Sequence, residues 1–430
     1  MSDGRGKFVP SALHAGSQRF LEEVRKNRQR VKELGPGIIT GGAGDDPAGI
    51  VTYTTVGATT GFSLLWLMLL STPMMVAVQD MAARLAIVTG KSLPEIIRGF
   101  YSKKAAAAVV LILAIANVIT IGADLQGVAE VLELLTGVRS VHWLIPITAL
   151  IAYLVTFKTY RTVKRVFVGL TLVLVAYMLT AVLARPNVLT VLEGTFLPHL
   201  SFSSAFLLAA LGMLGTTISP YMLFWQASEE KEEHKTVAQA RSVQVDTAVG
   251  MIYSNLIAFC IIVAAGVMLF GRHMAINTVS DALMALEPLG KRSALALFSV
   301  GILSAGFLAI PVLAGSTAYA VADTFGWREG LDHKVSDAKG FYSVFFGALI
   351  IGDLIHLSPL TAVQALYYSQ VLDGLLLPVL VGVLLALNAN KEIVGEFSNS
   401  WFNRFFGWLT LLFSSVFAGV LLVQALMALF

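Results

Sequence analysis

GGAGDDPAG at residues 41–49 and GTTISP at residues 215–220 each interrupt an apolar segment that is long enough to cross a lipid bilayer. Both stretches disfavour a continuous helix, because glycine leaves the backbone unrestrained and proline lacks an amide hydrogen. Non-helical backbone at bilayer depth is tolerated only where protein covers it or where it lines a cavity. The two interruptions therefore predict a binding site near the middle of a membrane.

The composition places the chain in a membrane. Hydrophobic residues make up 56% of the 430 residues and charged residues only 13%, whereas a soluble domain carries roughly a quarter charged residues. The apolar runs are continuous and do not alternate with a period of two, which favours helices over a β-barrel. The net charge of +3 is small and the basic residues lie outside these runs, so we expect a lipid bilayer as partner and no nucleic acid.

Apolar runs between charged loops predict eleven transmembrane helices. Of the 30 lysines and arginines, 24 fall on the side of the amino terminus and 5 on the other, with Arg84 near a helix end. Because positively charged loops stay in the cytoplasm, we expect a multi-pass protein of the bacterial inner membrane with a cytoplasmic amino terminus and an external carboxyl terminus. The predicted spans lie near residues 38–60, 62–88, 105–136, 141–157, 166–184, 203–228, 244–270, 293–323, 340–356, 359–388 and 404–430.

The two interruptions occupy corresponding positions, in the first and the sixth predicted span. Each of these spans opens a block of five, and an odd number of crossings inverts the second block relative to the first. That arrangement is typical of transporters built from inverted repeats. The predicted parts are a cytoplasmic segment at residues 1–34, a first five-helix repeat at 35–185, a second, inverted repeat at 203–388 and an eleventh helix at 404–430.

Proline makes each interruption a source of free carbonyl groups. Pro47 and Pro220 donate no hydrogen bond, so the carbonyls four residues earlier, at Ala43 and Thr216, lose their helical partners. Carbonyl oxygens are cation ligands, and the half-helix that ends at each break presents its negative end there. The pattern favours a positively charged substrate.

Two adjacent carboxylates, Asp45 and Asp46, fall at the first break. A carboxylate at bilayer depth costs about 2.5 to 3.5 kcal/mol on insertion scales, so something must offset it. A bound metal ion would do so, and a hydrogen-bonded cap on the broken helix is the alternative. Spacing does not decide which aspartate binds, because neighbouring helical residues point about 100° apart.

Several short stretches resemble the NRAMP family of divalent-metal transporters. They are GPG at residues 35–37 followed by DP at 46–47, RLAIVTGK at 84–91, and SQV at 369–371 ahead of Pro378. The resemblance extends from about residue 34 over most of the chain. It implies a LeuT-like fold, a 5+5 inverted repeat plus an eleventh helix, with the ion between helices 1 and 6.

The resemblance also implies a set of ligands, and this chain departs from it. Asp46 falls on the family's motif aspartate, Thr216 on a carbonyl ligand of helix 6, and Gln370 on a polar position of helix 10. Gly49 stands where the family has asparagine, and Ser219 where it has methionine. The predicted metal site comprises Asp46, Ala43, Gly49, Thr216, Ser219 and Gln370.

The departures predict a hard ion. A thioether favours transition metals, whereas carboxylate, carbonyl and water oxygens suit magnesium and manganese. Glycine and serine also enlarge the site, which suits magnesium because that ion keeps several waters. The pattern is similar to the NRAMP-related magnesium transporters, so we expect transport of partly hydrated Mg²⁺, with Mn²⁺ also accepted. No enzymatic activity or resident cofactor is predicted, and the oligomeric state is left open.

Proton coupling in the family is associated with histidines of helix 6 and acidic residues of helix 3. Tyr221 and Gln226 occupy the histidine positions here, and neither titrates near neutral pH. Asp124 is retained, but Gly127 stands where the family has glutamate. We expect weak or absent coupling. The alternatives are a proton-coupled Mn²⁺ or Fe²⁺ importer and a sodium-coupled amino-acid carrier of the same fold.

Other polar residues inside the apolar segments are predicted to be structural. Asp80 and Arg84 are expected to form an interfacial pair. The charged run at residues 229–235 is expected to be a solvated loop or helix end. Asp373 is expected in a structural role, near a helix end or near partners that the sequence does not identify. Interhelical hydrogen bonds are predicted for Asn117, Asn255 and Gln364.

Overall fold

The computed structural model describes residues 45–157, 172–272, 276–331, 333–395 and 397–428. In chain order the helices are α1 Pro47–Thr60, α2 Leu65–Thr89, α3 Leu93–Phe100, α4 Lys103–Thr136, α5 Val141–Phe157, α6 Ala176–Leu183, α7 Val188–Phe196, α8 Ser204–Thr217, α9 Pro220–Glu232, α10 Ala240–Met268, α11 Val279–Leu283, α12 Lys291–Phe325, α13 Lys339–Asp353, α14 Ala362–Ala389, α15 Lys391–Val394 and α16 Trp401–Met427.

The predicted spans coincide with described helices. Eight segments of the described chain are long and apolar enough to cross a membrane, and α8 and α9 together form one of them. The 17-residue α5 is shorter, and α1 and α6 are the described parts of the first and fifth predicted spans. Each of the eleven predicted spans therefore contains a described helix.

Four short helices, α3, α7, α11 and α15, lie outside the predicted spans, and α7 is the longest of them. α7 follows the fifth predicted span, and the axis of this helix is bent by 116° from that of the preceding one. Its first turn is capped by the side chain of Asn187, which accepts hydrogen bonds from the amides of Leu189 and Thr190. A nine-residue helix lies below the length that a hydropathy window detects, so the sequence showed only a loop there.

The interruption of the sixth span is confirmed. α8 ends at Thr217, Ile218 and Ser219 leave the helical conformation, and α9 restarts at Pro220. Proline is favoured at the first position of a helix, where no amide hydrogen is needed. In the first span α1 begins at Pro47, also with proline at its first position, after Asp46 in an extended conformation. The predicted first half of that span, including Ala43, lies outside the described residues.

Helix packing brings the two breaks together. α1 packs against α8, α10 and α14, and α14 also packs against α4 and α8. The hydroxyl groups of Tyr53 in α1 and Thr217 at the end of α8 are hydrogen-bonded at 3.2 Å. The second half of the first span, α1, and the first half of the sixth span, α8, therefore meet inside the protein.

Polar side chains link the helices as predicted at two of three positions. The amide of Asn117 donates to the hydroxyl of Thr317 at 2.9 Å, and that of Asn255 donates to Thr72 at 2.9 Å. The prediction for Gln364 was wrong. It is the third residue of α14 and closes a capping box with Thr361, because the helix begins later than the apolar run suggested.

The predicted pair of Asp80 and Arg84 is confirmed, with 3.1 Å between the guanidinium and the carboxylate. Asp80 is nevertheless buried, and it also accepts a hydrogen bond from Asn403 of α16. The pair therefore belongs to the contact between α2 and α16 and is not purely interfacial.

The charged run at residues 229–235 ends a helix, as predicted, but it is not simply solvated. Glu230 is buried, and Lys231 lies at the centre of a network of three carboxyl groups. Its amino group is 2.8 Å from Glu95, 2.9 Å from Asp323 and 2.7 Å from Glu329. The partners come from α3, the end of α12 and the following loop, which are distant in sequence. This network ties the end of α9 to two other elements and holds that half of the broken span in place.

Stability should fall at alkaline pH through Glu329. Burial, together with the neighbouring Asp323, raises the pKa of Glu329 from 4.5 to about 9. Because the pKa is raised in the folded protein, the protonated carboxyl stabilises the fold at low pH, and this contribution is lost as the pH rises towards 9. We expect the melting temperature of the parent to fall more steeply between pH 7 and pH 10 than that of Glu329→Gln.

Thermal unfolding in detergent across this pH range measures the difference. Glu392→Gln is the matched control, because Glu392 is exposed and lies in the first turn of α15. That variant should keep the slope of the parent. If Glu329→Gln also keeps the slope of the parent, the assignment is wrong.

Candidate cation site at the two helix breaks

Asp46 faces both broken spans. It is the residue before α1, and one carboxylate oxygen accepts a hydrogen bond from the amide of Gly49 in the first turn. The other oxygen lies 3.4 Å from the hydroxyl of Tyr221, the second residue of α9. The capping and ligand interpretations are therefore compatible, since one oxygen caps the helix while the other points at the second break.

Asp45 points elsewhere. Its carboxylate accepts a hydrogen bond of 2.8 Å from the hydroxyl of Ser254 in α10. Both aspartates are buried. Asp45 is therefore bonded to α10. Asp46 is the aspartate that faces the break in the sixth span.

The carbonyl of Thr216 is not free, which corrects the prediction from Pro220. The hydroxyl of Ser219 donates to it at 2.7 Å. Ser219 lies in an extended conformation immediately before α9, so its short side chain reaches back three residues to the exposed carbonyl. Both oxygens keep lone pairs after this bond, so the pair still presents two hard donors.

α14 closes the site from a third side. Gln370 is fully buried, and its side-chain carbonyl oxygen accepts no hydrogen bond from a described residue. A Cβ built on Gly215 would lie 2.0 Å from the backbone oxygen of Gln370 and 3.1 Å from the carbonyl carbon of Asp373. Only glycine allows this approach of α8 to α14, and it places Gln370 beside the predicted ligand Thr216.

Asp124 of α4 also lies at the start of α1, beside the candidate site. One of its carboxylate oxygens accepts a hydrogen bond of 3.0 Å from the amide of Ala48, in the first turn of α1. Asp46 and Asp124 thus accept two of the amide hydrogens that the start of a helix leaves unpaired. The positive end of α1 partly compensates these buried carboxylates.

The predicted site residues that the structure describes lie together. Five are buried at or beside the two breaks: Asp46, Gly49, Thr216, Ser219 and Gln370. Gly49 contributes no side chain, and its amide is bonded to Asp46. In the described ranges no group of three His, Cys, Asp or Glu side chains is arranged to hold one metal ion. Any ion here must therefore rely on mixed oxygen donors or on its own water.

Two of the positions associated with proton coupling hold Tyr221 and Gln226, which do not titrate near neutral pH, and a third holds Gly127. The hydroxyl of Tyr221 faces Asp46, and the amide of Gln226 donates to Thr247 at 2.8 Å. A Cβ built on Gly127 would lie 3.1 Å from the side chain of Leu366 and 3.6 Å from that of Pro47. A glutamate at that position would have to displace Leu366.

Comparison with known proteins agrees with this architecture. The model of the family described as Natural resistance-associated macrophage protein-like, or Nramp, matches residues 37–424. The chain belongs to the Nramp family. It is accordingly a multi-pass membrane transporter and not an enzyme. A relative from Pectobacterium carotovorum subsp. carotovorum (strain PC1), "Divalent metal cation transporter MntH", is 28% identical over 398 residues, which cover 90% of this chain and 93% of the relative.

Solved structures confirm the LeuT-like fold. A variant of the manganese transporter of Eremococcus coleocola superposes with a TM-score of 0.70 at 20% identity, covering 92% of this chain and 86% of that one. MhsT in complex with L-phenylalanine superposes with a TM-score of 0.60 at 12% identity, covering 90% of this chain and 98% of that one. At such identities the likeness concerns the fold alone, a 5+5 inverted repeat with an eleventh helix.

Sequence reasoning missed the position of Asp373. This residue was expected near a helix end, but it lies well inside the 28-residue α14 and is buried beside Gly215. Its spacing carried a usable signal, since Asp373 follows Gln370 by three residues and therefore shares a face of the helix with it.

Proposed function

We propose that this Nramp-family protein transports divalent metal cations, with Mg²⁺ as its main substrate and Mn²⁺ also accepted. The observation that supports the proposal best is the pairing of Asp46 with the second break through Tyr221, at 3.4 Å. A carboxylate that faces carbonyl and hydroxyl oxygens at a broken span is a set of donors suited to a hard cation.

The donors divide into three groups. Asp46 supplies charge, Thr216 and Ser219 supply a carbonyl and a hydroxyl at the second break, and Gln370 supplies a carbonyl oxygen that accepts no hydrogen bond from a described residue. Ala43 and Gly49 complete the proposed site. Ala43 would supply its backbone carbonyl, and Gly49, which has no side chain, would leave space for water around the ion.

Selectivity is proposed to follow from the absence of sulfur among these donors. Neither thioether nor thiolate is in the proposed set, so a soft ion gains nothing over a hard one. The relatives are named for divalent metal and manganese transport, which supports a divalent substrate and is consistent with Mn²⁺ as a second ion. An amino-acid substrate is disfavoured, because its carboxylate would meet Asp46.

Transport is proposed to be driven by the membrane potential, with little or no proton movement. Tyr221, Gln226 and Gly127 offer no group that titrates near neutral pH. A divalent ion gains about 4.6 kcal/mol per 100 mV, twice the value for one charge. We further propose that the protein lies in a bacterial plasma membrane with its amino terminus in the cytoplasm.

Uptake into vesicles tests the substrate and the coupling together. The purified protein is reconstituted with one trapped dye for metal and one for pH, and an inside-negative potential is imposed. We expect Mg²⁺ and Mn²⁺ to enter while the internal pH stays constant, and Ca²⁺ and Cd²⁺ to compete weakly. Vesicles without protein provide the baseline. Acidification in step with ion entry would refute the uncoupled mechanism, and absence of divalent uptake would refute the proposed function.

A further inference from the structure

Asp373 is a buried carboxylate to which no described residue donates a hydrogen bond. Neither of its oxygens accepts a hydrogen bond from a described residue, and only about 1% of its surface is exposed. Among the described residues no lysine or arginine forms an ion pair with it. A carboxylate in such a place is costly unless a cation or hydrogen-bond donors compensate it.

Two other buried side-chain oxygens of this region accept no hydrogen bond from a described residue. The side-chain oxygen of Gln370, one turn earlier on the same face of α14, is also without a partner. So is the second carboxylate oxygen of Asp124. All of these atoms are acceptors, and the water molecules around a metal ion are donors. A hydrated cation therefore supplies what these side chains lack.

Asp373 belongs to the same region as the proposed ion site. It interacts electrostatically with Asp46, with Asp124 and with the hydroxyl of Tyr221. α8 approaches α14 closely at Gly215, the residue before Thr216, and the backbone of Asp373 lies next to Gly215. Asp373 therefore lies beside the proposed ligands and not on a remote surface.

We propose that Asp373 is a second anionic group of the cation site, which accepts hydrogen bonds from the water shell of the transported divalent ion. The proposal rests on the proposed function and adds a residue to it. Because no three acidic side chains of the described ranges converge on one point, contact through water is favoured over direct coordination.

Asp373→Asn tests this role, since it removes the charge and keeps the shape. Uptake by vesicles should show a KM for Mg²⁺ raised by about tenfold or more, the size of effect typical for groups that act through a ligand. Cd²⁺ should be affected less, because Mg²⁺ gives up its water more reluctantly. Asp373→Glu should recover part of the Mg²⁺ affinity. Asp353→Asn is the matched control, because Asp353 bonds to Thr148 at the end of α13, and it should leave the KM unchanged.

The outcomes separate the two proposals. An active parent with an unchanged KM in Asp373→Asn, or with equal losses for Mg²⁺ and Cd²⁺, would overturn the role of Asp373 alone. A parent without divalent uptake would overturn the proposed function as well. If Asp373→Asn does not fold, infrared difference spectra of the parent decide. We expect added Mg²⁺ to shift the bands of more than one carboxylate in the parent, and a shift confined to one carboxylate would contradict the proposal.

Discussion

Replacing Asp46 with asparagine is expected to abolish uptake of Mg²⁺ and Mn²⁺ while leaving the fold intact. Asparagine is as good a helix cap as aspartate, so it can still accept the hydrogen bond from the amide of Gly49. It cannot supply the charge that faces the second break. Because even residues that only support a ligand are worth 10- to 100-fold in affinity, we expect a loss of at least about 100-fold.

The alanine variant separates charge from capping. Asp46→Ala loses both, so it should also be less stable than Asp46→Asn by about 0.5 to 2 kcal/mol, the usual contribution of a cap. Calorimetric titration with Mg²⁺ measures binding, and thermal unfolding measures stability. Equal binding of Mg²⁺ by the parent and Asp46→Asn would remove Asp46 from the site.

Ser219→Met is expected to turn the site towards soft ions. The thioether favours Cd²⁺ over Mg²⁺, and the larger side chain takes space that water would occupy. The substitution also removes the hydrogen bond from Ser219 to the carbonyl of Thr216, which frees that oxygen as a ligand. We expect the ratio of Cd²⁺ to Mg²⁺ affinity to rise by about tenfold or more.

Ser219→Leu is the control that isolates sulfur. Leucine has nearly the volume of methionine and loses the same hydrogen bond, but it carries no thioether. Competition titrations with Cd²⁺ and Mg²⁺ on both variants should show tighter Cd²⁺ binding only with methionine. If the two variants bind Cd²⁺ equally, softness of the ligand does not set the selectivity.

Local signals predicted much of the fold. Long apolar runs located the spans, and Pro220 located the restart of the sixth span to the residue, because the effect of proline on a helix depends on near neighbours only. The short helix α7 was missed because nine residues give too weak a signal. The start of α14 was misjudged because its cap residues, Thr361 and Gln364, lie within a longer apolar run.

The site was less predictable, since it depends on contacts between distant parts of the chain. Asp46 was identified because a carboxylate beside proline in an apolar span is unusual in itself. The partners of Lys231 were not, because Glu95, Asp323 and Glu329 are brought to it only by folding. The isolation of Asp373 was equally hidden, because sequence shows where a charge lies along a helix but not which groups fail to reach it.

Anomalous diffraction from crystals soaked in Mn²⁺ would test most directly whether a partly hydrated hard cation binds between the two broken spans. We predict one strong peak between the carboxylate of Asp46 and the carbonyl of Thr216, with ordered water among its ligands, that weakens when Mg²⁺ is added in excess. A peak remote from both breaks, or an ion at the breaks that Mg²⁺ does not displace, would contradict the account.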